Sequence, residues 1–237
     1  MQLANTVSAA SANDETETPL LAAHAIGRQA EGRWLLKQVS LALPAGARMA
    51  IVGPSGSGKT LLLRALALLD PVESGEILWR GEPVRGGDVP RFRSRVIYLH
   101  QRPALIEGTV EENLRLPFSL GVHRDKTFDR DAIAGRLASL GREASLLSRQ
   151  TGALSGGEAQ ITALLRAMQL EPEVLLLDEP TASLDDDSKR TVETMVDAWR
   201  DESPELRTTV WVTHDAGQVE RIADQVFPMR DGALENP

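Results

Sequence analysis

Apolar positions along the chain follow two rhythms. Short runs that are apolar throughout, Met49-Ala-Ile-Val52, Val96-Ile-Tyr-Leu99 and Val174-Leu-Leu-Leu177, have the length and bounding turns of strands buried on both faces. Thr208–Thr213 reads the same way, while Leu36–Leu43 alternates through Val39, Leu41 and Leu43. Leu20–Ala25, Gly75–Trp79 and Gln225–Met229 complete the predicted strands. The second rhythm is helical. Ile161, Leu164, Leu165 and Met168 recur at i, i+3, i+4, i+7 within Gly156–Leu170, and Val192, Met195, Val196 and Trp199 make one stripe within Asp186–Arg200. Leu61–Leu69 is apolar nearly all round, which predicts a buried helix stopped by Asp70-Pro71, and a short helix is expected through Val219–Ala223. From Pro103 to Leu154 strand-like runs disappear, and helices are predicted over Val110–Leu114, Asp131–Leu140 and Glu143–Arg149. Strands alternating with helices predict an α/β fold with a mainly parallel, covered sheet. A helical subdomain at about 103–155 interrupts that sheet.

Residues 1–18 are small, polar and acidic, ending Asp14-Glu-Thr-Glu-Thr18, so a disordered tail is expected ahead of a single domain over 19–237. A chain of 237 residues can bury a sizeable core. The net charge of −8 argues against nucleic acid as a partner. The absence of cysteine rules out disulfides and thiolate metal sites and suits a reducing compartment. No run of some 18 apolar residues is present, so the chain does not cross a bilayer by itself.

The candidate chemistry sits where the predicted strands end. After Met49–Val52 comes Gly53-Pro54-Ser55-Gly56-Ser57-Gly58-Lys59-Thr60, and after that the buried helix. Strand, glycine-rich turn and helix form the context of a phosphate-binding loop. Its glycines let successive backbone N–H groups face the β- and γ-phosphates at the positive end of the helix. Lys59 is expected to reach the phosphate oxygens and the Thr60 hydroxyl to ligate Mg²⁺; a plain Gly/Ser turn is the alternative. Val174–Leu177 delivers Asp178 and Glu179 to the same sheet edge, where Asp178 can hold Mg²⁺ and Glu179 can polarise an attacking water. An acidic helix start is the competing reading of that pair. Of four histidines, only His214 stands at the carboxyl end of a predicted strand, and a surface or strand-end role is expected for His24, His100 and His123. Leu154-Ser-Gly-Gly-Glu158 opens a helix either as a second anion site or as a cap, with Ser155 and Glu158 in capping-box spacing; spacing alone favours the cap.

Taken in order, the phosphate loop, Gln101 after a strand, Leu154–Glu158, Leu177-Asp-Glu-Pro180, Ser183-Leu-Asp185 and Thr213-His214 resemble the motif series of ATP-binding cassette (ABC) ATPases. The resemblance spans about residues 20–232. It implies a P-loop NTPase fold of ABC type, with a mainly parallel core sheet, an antiparallel β subdomain and the inserted helical subdomain. It also implies ATP and Mg²⁺ as cofactors and a head-to-tail homodimer around two nucleotides. Carried over, Ser155, Gly156 and Gly157 act on the γ-phosphate held by the opposite subunit. Gln101 senses Mg²⁺ and the attacking water while coupling to a transmembrane partner, His214 contacts the γ-phosphate and supports Glu179, and Asp185 bridges the subunits. Two departures stand out. No aromatic residue occupies Gly27–Gly32, where the family stacks adenine, which leaves Trp34 as the candidate; and Ile161 replaces a common arginine.

With one cassette and no span, the chain looks like the separate ATPase subunit of a transporter, peripheral on the cytoplasmic face of the inner membrane and gripped by a permease near Gln101. Gln101–Leu114 with Leu116-Pro-Phe118 resembles the branch associated with iron export. The alternatives are the cassette of a lipoprotein-release or phosphate transporter, and a soluble non-transport ABC ATPase. A cassette that binds without hydrolysing is disfavoured by Lys59, Asp178, Glu179 and His214 together.

Overall fold

The computed structural model describes residues 18–235; the expected tail, up to Glu17, lies outside the described residues. In chain order the strands are β1 (Leu21–Ala30), β2 (Arg33–Leu43), β3 (Arg48–Val52), β4 (Ser74–Trp79), β5 (Glu82–Pro83), β6 (Val96–Leu99), β7 (Val174–Asp178), β8 (Thr208–Val212), β9 (Gln225–Arg230) and β10 (Ala233–Leu234). The helices are α1 (Lys59–Leu66), α2 (Val89–Arg95), α3 (Val110–Arg115), α4 (Arg130–Ser139), α5 (Gly156–Met168), α6 (Asp186–Asp201) and α7 (Ala216–Ile222). The main sheet has the order β10-β9-β3-β8-β7-β6. Its inner pairings are parallel and only the β10–β9 edge is antiparallel. A second, antiparallel sheet runs β2-β1-β4-β5.

The continuous apolar runs are explained by what covers each face. In β7, Leu176 faces one core, with Ile51, Leu62, Leu66, Leu36 and Phe92, between the two sheets and α1. Its neighbours Leu175 and Leu177 face the other, with Leu164, Leu165, Val196 and Trp199 from α5 and α6. In β8, Val210 and Val212 take the first side and Trp211 the second. Each such leucine contributes roughly 1.5–3 kcal/mol by leaving water, so both faces resist a polar substitution. Ile161 is buried in the second core, as its place on the apolar stripe predicts.

Three boundaries differ from expectation for local reasons. The stretch Gly27–Gly32, between the predicted strands Leu20–Ala25 and Leu36–Leu43, is strand almost throughout: β1 and β2 continue to the pair Ala30–Arg33. They turn through Glu31 and Gly32 alone, at φ 49° and 76°, the positive-φ geometry that matches strand twist. Helix α1 stops before Asp70-Pro71, because Leu68 turns left-handed at φ 55° and the Leu69 N–H bonds the Arg64 carbonyl at 2.8 Å. Over 143–149 the chain makes a 3-10 turn, Ala144–Ser148. There the Ser145 and Ser148 hydroxyls bond the Glu143 carboxylate and the Ser145 carbonyl, in competition with helical bonding. Residues 103–155 otherwise hold α3, α4 and further 3-10 turns, with Val110, Leu114, Ile133 and Leu137 packed into the second core.

Candidate active site

Four adjacent parallel strands, β3, β8, β7 and β6, end along one edge of the sheet, and each delivers one candidate group. The phosphate loop follows β3, His214 follows β8, Asp178 and Glu179 end β7, and Gln101 follows β6. Strands lie about 4.8 Å apart, so the loop and Gln101 stand on strands roughly 14 Å apart, with the acids and His214 between. Helix α1 leans across β7, and this brings Thr60 Oγ1 within 3.1 Å of Asp178 Oδ1.

The loop is shaped to hold something small and negative. Gly53, Gly56 and Gly58 lie at φ 150°, 78° and 107°. A Cβ on Gly53 would meet the Met229 carbonyl oxygen at 2.1 Å, so only glycine fits there. Gly58 starts α1 with no side-chain cap, which leaves that helix's first N–H groups for a ligand. Lys59 is 5% exposed and donates to the Gly53 and Pro54 carbonyls at 2.8 and 2.9 Å. Burial lowers its pKa, opposed by the charges of Glu179 and Asp178. The buried Ser57 hydroxyl has no partner among the described residues. Ser55, Gly56, Gly58, Lys59, Thr60, Leu61 and Glu179 line a cleft of about 190 Å³. A set of backbone donors around the Lys59 cation fits a phosphate chain, and the Thr60 hydroxyl beside the Asp178 carboxylate is a donor set suited to a magnesium ion.

His214 Nε2 contacts Glu179 Oε1. Glu179 sits at φ 48°, a left-handed backbone strained for a residue with a Cβ. It is held there because its N–H continues the β8 ladder to the Val212 carbonyl at 3.0 Å while its own carbonyl accepts from Ala182. Gln101 is exposed beyond β6. Trp34 lies on β2, 42% exposed, with its ring lying over Gly27, where a Cβ would come within 2.7 Å of it.

Ser155–Gly157 do not line this cleft. Ser155 and Glu158 form both bonds of the capping box, 3.2 Å and 2.9 Å, and burial of Glu158 is outweighed by its bond from the Ser155 N–H, which lowers its pKa. Gly157 faces the start of α6, with no room for a Cβ beside the Ser188 hydroxyl at 2.8 Å. Ser188 in turn bonds Asp185, the α6 N-cap, whose pKa is lowered first by the Ser188 N–H. Ser155, Gly156 and Asp185 are exposed and Gly157 is buried against the start of α6, so this group lies apart from the phosphate-loop cleft in a single copy of the chain.

Two residues of the site were not singled out from sequence. Tyr98 donates to Asp178 Oδ2 at 2.8 Å, and burial together with that bond raises its pKa. It is the chain's one tyrosine, set in an otherwise aliphatic strand, a signal that acquires meaning only once Tyr98 pairs with Leu176 across β6 and β7. Gln218 is 1% exposed behind His214 and is taken up below. One histidine expectation is corrected: His123 is buried, and that burial lowers its pKa. Larger clefts occur both at the site and away from it, and one of about 530 Å³ is lined by Gly53, Thr213 and His214. A cleft of about 520 Å³ lies at the amino ends of the strands, but Arg80 and Arg95 there are already paired with Glu173.

Comparison with known proteins bears on this geometry. Residues 36–182 match the family model described as ABC transporter. A relative named ABC transporter I family member 17, from Arabidopsis thaliana, is 38% identical over 219 residues, 91% of this chain and 81% of its own. The probable iron export ATP-binding protein FetA of Escherichia coli is 34% identical, covering 93% of this chain and 96% of its own. The phosphate import ATP-binding protein PstB 2 of Natronomonas pharaonis is 36% identical, covering 90% and 78%. Among solved structures, a dimeric post-hydrolysis state of the cassette MJ0796 bound to ADP and Pi superposes with a TM-score of 0.78 at 25% identity, covering 91% of this chain and 97% of that one.

Proposed function

This chain belongs to the ABC transporter family, and we propose that it is the subunit that powers a separate membrane permease by closing and reopening as a dimer around two ATP molecules. It is an ATPase of that family and uses ATP with Mg²⁺. The observation that carries the residue-level reading is the pair of contacts on one sheet edge, Thr60 with Asp178 and His214 with Glu179, flanking Lys59.

The chemistry is phosphoryl transfer to water, in which the protein positions groups and stabilises charge without a covalent intermediate. Lys59 and the loop N–H groups hold the phosphate oxygens. Thr60 and Asp178 would hold the magnesium ion, whose charge would offset that of the phosphates. Glu179 accepts the proton of the attacking water, and His214 orients Glu179 and faces the γ-phosphate. Gln101 reports on the water from β6, and Trp34 is the side chain offered to adenine. Ser155, Gly156 and Gly157, with Asp185 beside them, complete the site of a second copy. That placement is supported by the exposure of Ser155, Gly156 and Asp185 outside this chain's own phosphate cleft and by the dimeric state of the MJ0796 structures.

Two measurements follow. Ser155→Ala removes the cap, which alone costs about 1 kcal/mol of stability. Under the proposal it also lowers turnover at least about tenfold while single subunits keep their ATP affinity, because a hydroxyl donor to the γ-phosphate across the dimer is lost. Unchanged turnover per folded subunit leaves Ser155 as a cap only. Tyr98→Phe strips one donor from Asp178, and half-maximal activity is expected to shift severalfold in Mg²⁺ concentration with folding retained, read by a magnesium titration.

Among the described residues no helix is long and apolar enough to cross a membrane. Peripheral attachment to the cytoplasmic face through the permease is therefore part of the proposal. Iron or another metal is the cargo proposed, supported by the Gln101–Phe118 resemblance and by the near full-length match to FetA. Co-purification of a multi-span membrane protein that stimulates the ATPase supports the transporter reading. Co-purification of nucleic acid or ribosomes instead sinks it.

A further inference from the structure

Behind the Glu179–His214 pair lies a buried polar set that the reaction does not itself use. Thr213, the residue before His214, donates its hydroxyl to Gln218 Oε1 at 2.6 Å. Gln218 Nε2 donates to the Thr181 hydroxyl at 3.0 Å, two residues beyond Glu179, and to Glu193 Oε1 on α6 at 2.8 Å. Glu193 is anchored in turn by Arg221, at 2.9 Å from each of its oxygens. Gln218, Thr213, Thr181 and Glu193 are all at most 7% exposed. The Gln218 N–H is itself fixed by the Asp215 carboxylate at 3.0 Å, so its helix starts where the His214 turn ends.

We propose that Gln218 is a positioning residue for ATP hydrolysis, its amide tying the strand end that carries His214 to the turn that carries Glu179. This rests on the reading of Glu179 and His214 as the reacting pair. The physical case is the amide's asymmetry. Its oxygen can only accept, as Thr213 requires, and its nitrogen can only donate, as the Glu193 carboxylate requires. No other side chain of that length offers both at once without charge. Glu179 adopts a strained backbone that persists only if its surroundings over-determine it. The Thr181–Gln218 bond is one of the fixed points, and through Thr213 the same amide fixes its partner histidine. A shift of about 1 Å between groups that must meet one water is enough to lower turnover by about a hundredfold.

The test is steady-state ATP hydrolysis by the full chain, well below its melting temperature. Gln218→Leu keeps the bulk and removes both bonds. It is expected to lower kcat at least about tenfold while KM for ATP stays within about twofold, since among the described residues no hydrogen bond joins Lys59 or Thr60 to this set. Gln218→Glu keeps the acceptor and makes the donor titratable. It would face Glu193 directly; the other charged groups around the pair are Arg221, Asp215 and Glu220 from its own segment, Lys189 and Asp197 from α6, and Arg48 from β3. Burial pushes Glu193 up, but Arg221 and the Gln218 amide outweigh it and hold it below the usual range. Two buried carboxylates in contact share a proton, so the Gln218→Glu protein should approach wild-type turnover near pH 6 and lose it towards about pH 8, relative to wild type at each pH.

If Gln218→Leu does not fold, Thr213→Val against Thr213→Ser decides, with loss in the first and rescue in the second. A Gln218→Leu kcat within about twofold of wild type, with Glu179→Gln and His214→Ala inactive, overturns the proposal and leaves the reacting pair standing. Turnover retained in Glu179→Gln and His214→Ala instead removes the pair, and the role of Gln218 with it.

Discussion

Replacing Glu179 by glutamine is expected to lower ATP turnover by about 10²–10⁴-fold and to leave nucleotide binding intact. The amide has the shape of the carboxylate and can sit against His214 from the same place, but it cannot take a proton from water. Backbone strain is unchanged, because Glu179 already adopts φ 48° with a full side chain, as glutamine would. With closure allowed and hydrolysis blocked, ATP-bound dimers should accumulate. Size-exclusion chromatography with MgATP would show the variant eluting as a dimer under conditions in which the wild type returns to its resting state. Turnover close to wild type would remove Glu179 from the role of base.

Lys59→Ala acts at an earlier step. The ammonium holds the Gly53 and Pro54 carbonyls and faces a cleft lined by loop N–H groups. Its removal takes away the charged donor to the phosphate oxygens, a contribution of about 1.5–3 kcal/mol, or roughly 10–150-fold in Kd. Calorimetric titration with MgATP measures it. Stability should change little, since a partly desolvated cation disappears together with its two bonds. Unchanged affinity would mean that the loop binds through its backbone alone.

What could be read from the chain in advance was whatever lies close together in it. The phosphate loop, the acids of β7 and His214 are each a strand end plus the next few residues, and the strands announce themselves by length and apolar content. The antiparallel sheet follows only from the family resemblance, since Glu31-Gly32 is an inconspicuous turn and nothing in Gly27–Gly32 marks the far ends of the two predicted strands. Helix α2 was missed because Val89-Pro-Arg-Phe-Arg-Ser-Arg95 buries only Phe92 and so has no apolar period. Tyr98 and Gln218 were out of reach for another reason. Their partners Asp178 and Glu193 lie 80 and 25 residues away, and strand register and helix docking decide who meets whom. Ser155 is the reverse case: its cap was legible from four consecutive residues, whereas any role across a dimer has no trace in a single chain.

The order of strands in space has a consequence for synthesis. Strand β8 lies between β3 and β7, yet it is made after both, when nearly nine-tenths of the chain has been translated. Until then the strand carrying the phosphate loop and the strand carrying the acids have no common neighbour, and Thr60 cannot be brought to Asp178. A nascent chain released before residue 205 should therefore retain no MgATP, however complete its glycine loop. In a series of released chains of increasing length, nucleotide capture should begin abruptly once residues 208–212 are included.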